Sequence, residues 1–221
     1  MTLVVLPGMG CSPRLWSTAL PDAPVVHGTL DRPSIDGCVD ALLDVLPPRF
    51  ALAGLSLGGI VAMALVRTAP ERVTRLALLA TNARGPTSAQ YEGWAAARAA
   101  FATDGTARDV QRDLLPVLLH DHAHDETALA MAEDLGAADF DRQLEAQATR
   151  IDERPALARV AVPTLVLAGG ADRLCPVDRH EEIAALVPGA RLEVLEDVGH
   201  LVTLEAPERV RAHLTAWLGS G

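Results

Sequence analysis

The stretch Phe50-Ala-Leu-Ala-Gly54-Leu55-Ser56-Leu57-Gly58-Gly59 decides the fold. A short apolar run ends in Gly-x-Ser-x-Gly, and a second apolar run over residues 60–66 follows at once with helical character. The reading is strand, sharp turn, helix, with a serine at the turn. Such a serine sits in a strained backbone conformation, and its hydroxyl stands clear of the sheet edge. Residues without Cβ at Gly54 and Gly58 let strand and helix pass that closely. The helix that follows points its N-terminus at the serine, where partial positive charge favours a developing anion.

Outward from this turn, strand and helix alternate. Residues 2–6 form a short β-branched and leucine run, read as a buried strand, and Pro7-Gly8-Met9-Gly10 ends it as a turn. A short helix is expected over 14–20, with Ser12 as N-cap and Pro13 at the first position. Strands are expected at 25–27 and 73–80, and a helix over 34–46, capped by Ser34 and stopped by Pro47-Pro48. From 84 to 159 no strand is legible, and helices follow one another at 88–102, 107–119, 126–135 and 139–151. Strands resume at 163–168 and 192–195, with helices at 177–187 and 207–218. Alternation on both sides of a helical insert implies a doubly wound, mostly parallel, six-stranded α/β sheet. The expected organisation is one domain over 1–221, with a core of 1–83 and 160–221 and a helical cap over about 84–159.

Composition narrows the function. The 221 residues are 49% hydrophobic and 22% charged, as in a soluble globular domain. A net charge of -10 disfavours nucleic acid and anionic membrane as partners and leaves a small-molecule substrate. There is no lysine, so all 19 basic residues are arginine. Schiff-base chemistry and a P-loop are thereby excluded. Cys11, Cys38 and Cys175 show no ligand-like spacing and read as reduced thiols. The N-terminus lacks a basic leader and enters a strand directly, so a cytoplasmic location is expected.

Polar residues collect just after the expected strands, where doubly wound sheets bind ligands. Ser56 follows the third strand, Asp172 follows 163–168 and His200 follows the last; Gly8 and Met9 follow the first. A serine hydroxyl becomes a competent nucleophile when an imidazole takes its proton. A carboxylate on the far ring nitrogen fixes the tautomer. Backbone N–H groups of Met9 and Leu57 are the expected oxyanion donors, each typically worth ~3 kcal/mol. Asp197 competes with Asp172 as the acid but reads better as a loop residue. His27, His180 and His213 read as surface or helix residues. The cluster His120-Asp121-His122-Ala-His124-Asp125 has metal-ligand composition and reads better as a solvated loop with a helix cap, so no metal is expected. Trp16, Tyr91 and Trp94 are candidates for the substrate pocket, beside Gly8. Arg84 lies past the fourth strand, where a guanidinium can hold a substrate carboxylate in bidentate geometry, tie the cap to the sheet by an ion pair, or stand free at the surface.

With these motifs in order, the chain resembles a small α/β-fold hydrolase from end to end. Ser, Asp and His come in that family's order, and the Gly-x-Ser-x-Gly turn is its nucleophile elbow. Leu6-Pro-Gly8-Met9-Gly10, with Trp16 downstream, is similar to the family's oxyanion segment, with Pro7 where many members carry His. Gly169 to Pro176 and Gly199-His200 match its acid and base segments. The resemblance implies a cofactor-free serine hydrolase that cleaves a small ester, thioester or lactone through an acyl-enzyme on Ser56. Carbon–carbon bond hydrolysis, an elimination like that of the menaquinone-pathway synthase, perhydrolysis, and a ligand receptor on the same scaffold are the alternatives. Substrate and oligomeric state are left open by the sequence.

Overall fold

In the computed structural model, which describes residues 1–219, six strands form one all-parallel sheet in the order β2-β1-β3-β4-β5-β6. They are β1 (Leu3–Leu6), β2 (Val25–His27), β3 (Phe50–Leu55), β4 (Val73–Leu79), β5 (Thr164–Gly169) and β6 (Arg191–Leu195). The chain starts at β1, steps outward to β2, then returns across β1 to β3. That reversal opens a crevice beyond the carboxyl ends of β1 and β3, the place where such sheets bind ligands.

Period-two side-chain alternation divides the core into two faces. Leu3, Val5, Ala51, Ala53, Leu55, Leu165 and Leu167 pack on one side with Trp16, Val210, Leu214 and Trp217. Val4, Leu6, Leu52, Leu76, Leu78 and Val166 pack on the other, under helices α1 (Ile35–Val45), α2 (Leu57–Thr68) and, further along the chain, the helix Val177–Leu186. β1, β3 and β5 are buried along their whole length, as continuous apolar runs in a parallel sheet should be. Ser34 caps α1 by accepting a hydrogen bond from the Gly37 N–H at 3.0 Å.

Between β4 and β5 lies the helical insert. It contains α3 (Ser88–Phe101), α4 (Ala107–Leu118), α5 (Asp125–Leu135), α6 (Ala137–Ala148) and the single turn α7 (Arg154–Leu157). The helix Val177–Leu186 is α8, and α9 (Val202–Glu205) and α10 (Pro207–Gly219) follow β6. Thr87 and Thr106 each begin an insert helix with a reciprocal capping box. The last two residues of the core expected from the sequence lie outside the described residues.

Two expected elements differ. The helix at 14–20 is only a 3-10 turn, Pro13–Trp16, because Trp16 is drawn wholly into the core and the chain must bend to deliver it. The helix expected over 139–151 runs instead from Ala137 to Ala148. Thr149 ends it: its hydroxyl donates to the Ala146 carbonyl at 2.8 Å and accepts the Ile35 N–H at 2.9 Å. Residue 150 therefore leaves the helix. The turns α7 and α9 were too short to show any periodicity.

Candidate active site

The turn after β3 carries Ser56 at φ 55, ψ -114, a conformation open to L residues only at a cost of roughly 1–3 kcal/mol. Hydrogen bonds hold it there. The Ser56 N–H donates to the Leu79 carbonyl at 2.9 Å, and the Ser56 carbonyl accepts from the Thr81 hydroxyl at 2.8 Å and the Ile60 N–H at 3.1 Å. The close approach leaves no room for side chains. A Cβ on Gly54 would lie 2.2 Å from the Gly58 carbonyl oxygen, and one on Gly58 would lie 2.4 Å from that of Leu6. Ser56, Ala80 and Asp197 are the non-glycine residues of positive φ among those described, and each follows the end of a strand.

Asp172 and His200 meet beside this turn. His200 Nδ1 lies 2.8 Å from Asp172 Oδ2, with both side chains almost wholly buried. The other carboxylate oxygen, Oδ1, accepts the N–H groups of Leu174 at 2.8 Å and Cys175 at 2.9 Å. Three donors thus converge on one buried carboxylate, which satisfies its charge without a cation. The rival Asp197 is exposed.

The loop after β1 faces the same crevice. Gly8 to Cys11 is a tight turn closed by the Cys11 N–H on the Gly8 carbonyl at 3.2 Å, with Gly10 at φ 70, as a turn with a left-handed third residue requires. Gln143 of α6 accepts the Gly10 N–H at 2.9 Å and donates to the Leu30 carbonyl at 3.1 Å, pinning the insert to this loop. The insert also grips the histidine. The N–H groups of His200 and Leu201 donate to the Leu118 carbonyl at 3.0 and 3.2 Å. Glu205 accepts from Gly199 on one oxygen and from His120 and Asp121 on the other.

A profile described as "Alpha/beta hydrolase family" matches residues 3–213. The chain belongs to the alpha/beta hydrolase family. Among its relatives is a pimeloyl-[acyl-carrier protein] methyl ester esterase of Aromatoleum aromaticum, 32% identical over 234 aligned positions that cover 93% of each protein. In fold it is similar to the enol-lactonase of Burkholderia xenovorans LB400, with a TM-score of 0.83, 23% identity, and coverage of 99% of this chain and 91% of that one. It is similar likewise to MenH of S. aureus, with a TM-score of 0.84, 19% identity, and coverage of 99% and 93%. The alpha/beta hydrolase described here is of the esterase type.

A cavity of about 210 Å³ in this hydrolase is lined by Gly8, Met9, Ser56, Trp94 and His200, among others. Three of the residues expected at the substrate pocket do not line it. Trp16 is fully buried and borders a separate cavity behind the first loop. Tyr91 is 46% exposed, its hydroxyl donating to the Ala148 carbonyl at 3.2 Å, and it touches the cavity only through its edge-on contact with Trp94 at 5.9 Å. Arg84 turns away to α8, where Nε and Nη2 clasp Glu182 at 2.8 and 3.0 Å. Of the three roles weighed for Arg84, the structure holds the ion pair. The cavity receives a different arginine, Arg150. Burial pushes the Cys11 and Cys175 thiols each up to about 12, so neither supplies a thiolate. At the histidine-rich loop, Asp121 caps a turn by accepting the Ala123 N–H, and His122 faces Asp125 at 3.3 Å. Among the described residues no helix is long and apolar enough to cross a membrane.

His180, read as a surface or helix residue, is on α8 but wholly buried. Its Nε2 accepts the Thr81 N–H at 3.0 Å and its Nδ1 faces the Pro176 carbonyl at 3.3 Å. Ile183 is buried one turn on, and that i, i+3 pairing was the available sign of an inward face. Burial pushes the His180 pKa down to about 4, against a smaller upward pull from Asp172. A depressed histidine pKa stabilises the fold fully above the unfolded value near 6.5 and loses that contribution as pH falls toward 4. The contribution is on the order of 3 kcal/mol. The melting temperature is therefore expected to fall between about pH 6.5 and 4. His180→Gln, whose amide oxygen can still accept the Thr81 N–H, is expected to flatten that fall. An equal slope in both proteins would assign the acid sensitivity elsewhere.

Proposed function

We propose that this hydrolase cleaves a small carboxylic ester in two acyl transfers through Ser56. Ser56 Oγ attacks the ester carbonyl while His200 Nε2 takes the hydroxyl proton. Asp172, bound to Nδ1, holds the imidazole in the tautomer that leaves Nε2 free to accept and stabilises the imidazolium that forms. The carbonyl oxygen becomes an oxyanion between two backbone donors. One is the N–H of Leu57, which as the first residue of α2 has no partner within the helix. The other is the N–H of Met9, which takes no part in the hydrogen bonds that close its turn. Collapse expels the alcohol, protonated by His200, and leaves an acyl-enzyme. Water, deprotonated by the same imidazole, then releases the acid and restores Ser56.

The observation that carries this reading is the buried Asp172–His200 pair at 2.8 Å, whose histidine lines the same cavity as a strained, glycine-flanked serine. The relative's methyl ester substrate supports a small alcohol as leaving group. At about 210 Å³ the cavity is smaller than the roughly 300–1,000 Å³ that receives a drug-sized ligand, which favours a short acyl chain. Residues 1–83 and 160–221 supply the reacting groups in this account, and the insert shapes the cavity over them. Three free, buried cysteines support a cytoplasmic setting. Purified protein offered a panel of short methyl, aryl and thioesters is expected to release acid and alcohol from the oxygen esters. Inertness toward every ester, with the protein folded, would reject the proposal.

A further inference from the structure

Arg150 is the one arginine in the buried interior among the described residues, at 6% exposure. Nη1 donates to Gln147 Oε1 at 3.1 Å and Nη2 to Gln90 Oε1 at 2.9 Å, while Nε is buried with no partner. The guanidinium carbon stands 5.2 Å from the centre of the Trp94 ring. All four residues line the cavity that also holds Ser56 and His200.

The partners are all neutral. The insert's other well-placed arginines have carboxylates: Arg98 has Asp141 and Glu145, Arg108 has Glu126, and Arg154 has Asp152 and Glu182. The chain holds 29 acidic residues against 19 basic ones. Yet among the described residues none comes within ion-pair distance of Arg150. Burial lowers the guanidinium's pKa, but arginine remains protonated under all ordinary conditions. A buried cation without a counter-ion is costly, and amide oxygens and one aromatic face offset only part of that cost. The group is also rigid. Gln90 is fixed by the capping box of α3, where its side chain accepts the Thr87 N–H at 3.0 Å, and the guanidinium lies between two helices. A preorganised fork with unused N–H groups, at the wall of a small apolar cavity, matches a planar carboxylate in charge and shape.

We infer that Arg150 binds a carboxylate at the end of the substrate remote from the scissile ester, so that the substrate class is the monoester of a short dicarboxylic acid. The inference rests on the acyl-transfer reading of Ser56. Ester chemistry happens at one end of the cavity while the charge at the other end fixes chain length and orientation. Gln90, Gln147 and Trp94 hold the guanidinium and exclude water from it.

The test uses monomethyl esters of dicarboxylic acids from succinate to suberate, each beside a neutral ester of equal length. Wild-type protein is expected to favour the acid-bearing ester by roughly 10–100-fold in kcat/KM, with one chain length preferred. Arg150→Met is expected to abolish that ratio, chiefly through KM, and Arg150→Lys to keep only part of it, since an ammonium lacks the fork. Equal kcat/KM for acid and neutral esters in the wild type overturns the inference, whether or not the variants fold. So does a ratio unchanged in folded Arg150→Met. A second readout separates the two claims. Free dicarboxylates should raise the melting temperature of the wild type and not of Arg150→Met, with no turnover involved. Such binding without hydrolysis would keep the anion site and reject the ester reading; hydrolysis without acid preference would do the reverse.

Discussion

Ser56→Ala is expected to lower kcat for ester hydrolysis by about 10⁵–10⁶-fold while the protein stays folded. The effect is large because the covalent route vanishes with the hydroxyl, and only oxyanion stabilisation and binding remain to help water. Stability should change little. Ser56 is held by its backbone, through Leu79, Thr81 and Ile60, and none of those bonds uses Oγ. Alanine must adopt the same positive φ, so the backbone strain is common to both proteins and the melting temperature should stay close to that of the wild type. Steady-state kinetics with a chromogenic ester and a thermal melt check both parts. Residual turnover above a hundredth of wild type would mean that the nucleophile lies elsewhere.

Asp172→Asn is expected to cost about 10⁴-fold in kcat. The amide preserves size but can present N–H where the carboxylate accepts, and the imidazole is then turned to the wrong tautomer. Here the substitution disturbs more than one bond. Oδ1 also accepts from Leu174 and Cys175, so one of the two amide atoms must meet a donor with a donor. A loss of stability of about 1–3 kcal/mol is expected beside the kinetic loss. Asp197→Asn, on an exposed loop residue, is the control. If it is inactive and Asp172→Asn retains wild-type rates, the acid has been misassigned.

The sequence spoke clearly where the signal is local. Gly54 and Gly58 around Ser56, Pro7-Gly8 after β1 and Gly199 before His200 are short-range constraints, and each marks a strand end. Because the sheet is parallel, strand ends share one edge, so linear order became spatial proximity for Asp172 and His200. Side chains whose partners lie far along the chain were not legible. Arg84 and Arg150 both follow an element on the crevice side, yet Glu182, 98 residues on, claims the first and no carboxylate claims the second. Trp16 looked like a pocket residue because it follows the first loop, but the 3-10 turn carries it into the core beneath that loop. Gln143 and Glu205 carry no sequence signal, since each acts by accepting backbone N–H groups from a distant segment.

The most direct measurement is mass spectrometry of the protein after a fluorophosphonate probe, followed by peptide mapping. Such a probe labels a serine whose hydroxyl is activated and whose oxyanion site is formed, and it depends on no knowledge of the substrate. The account predicts one stoichiometric adduct, located on Ser56, and none on Ser56→Ala. Labelling of both proteins alike, or an adduct on any other residue, would contradict it.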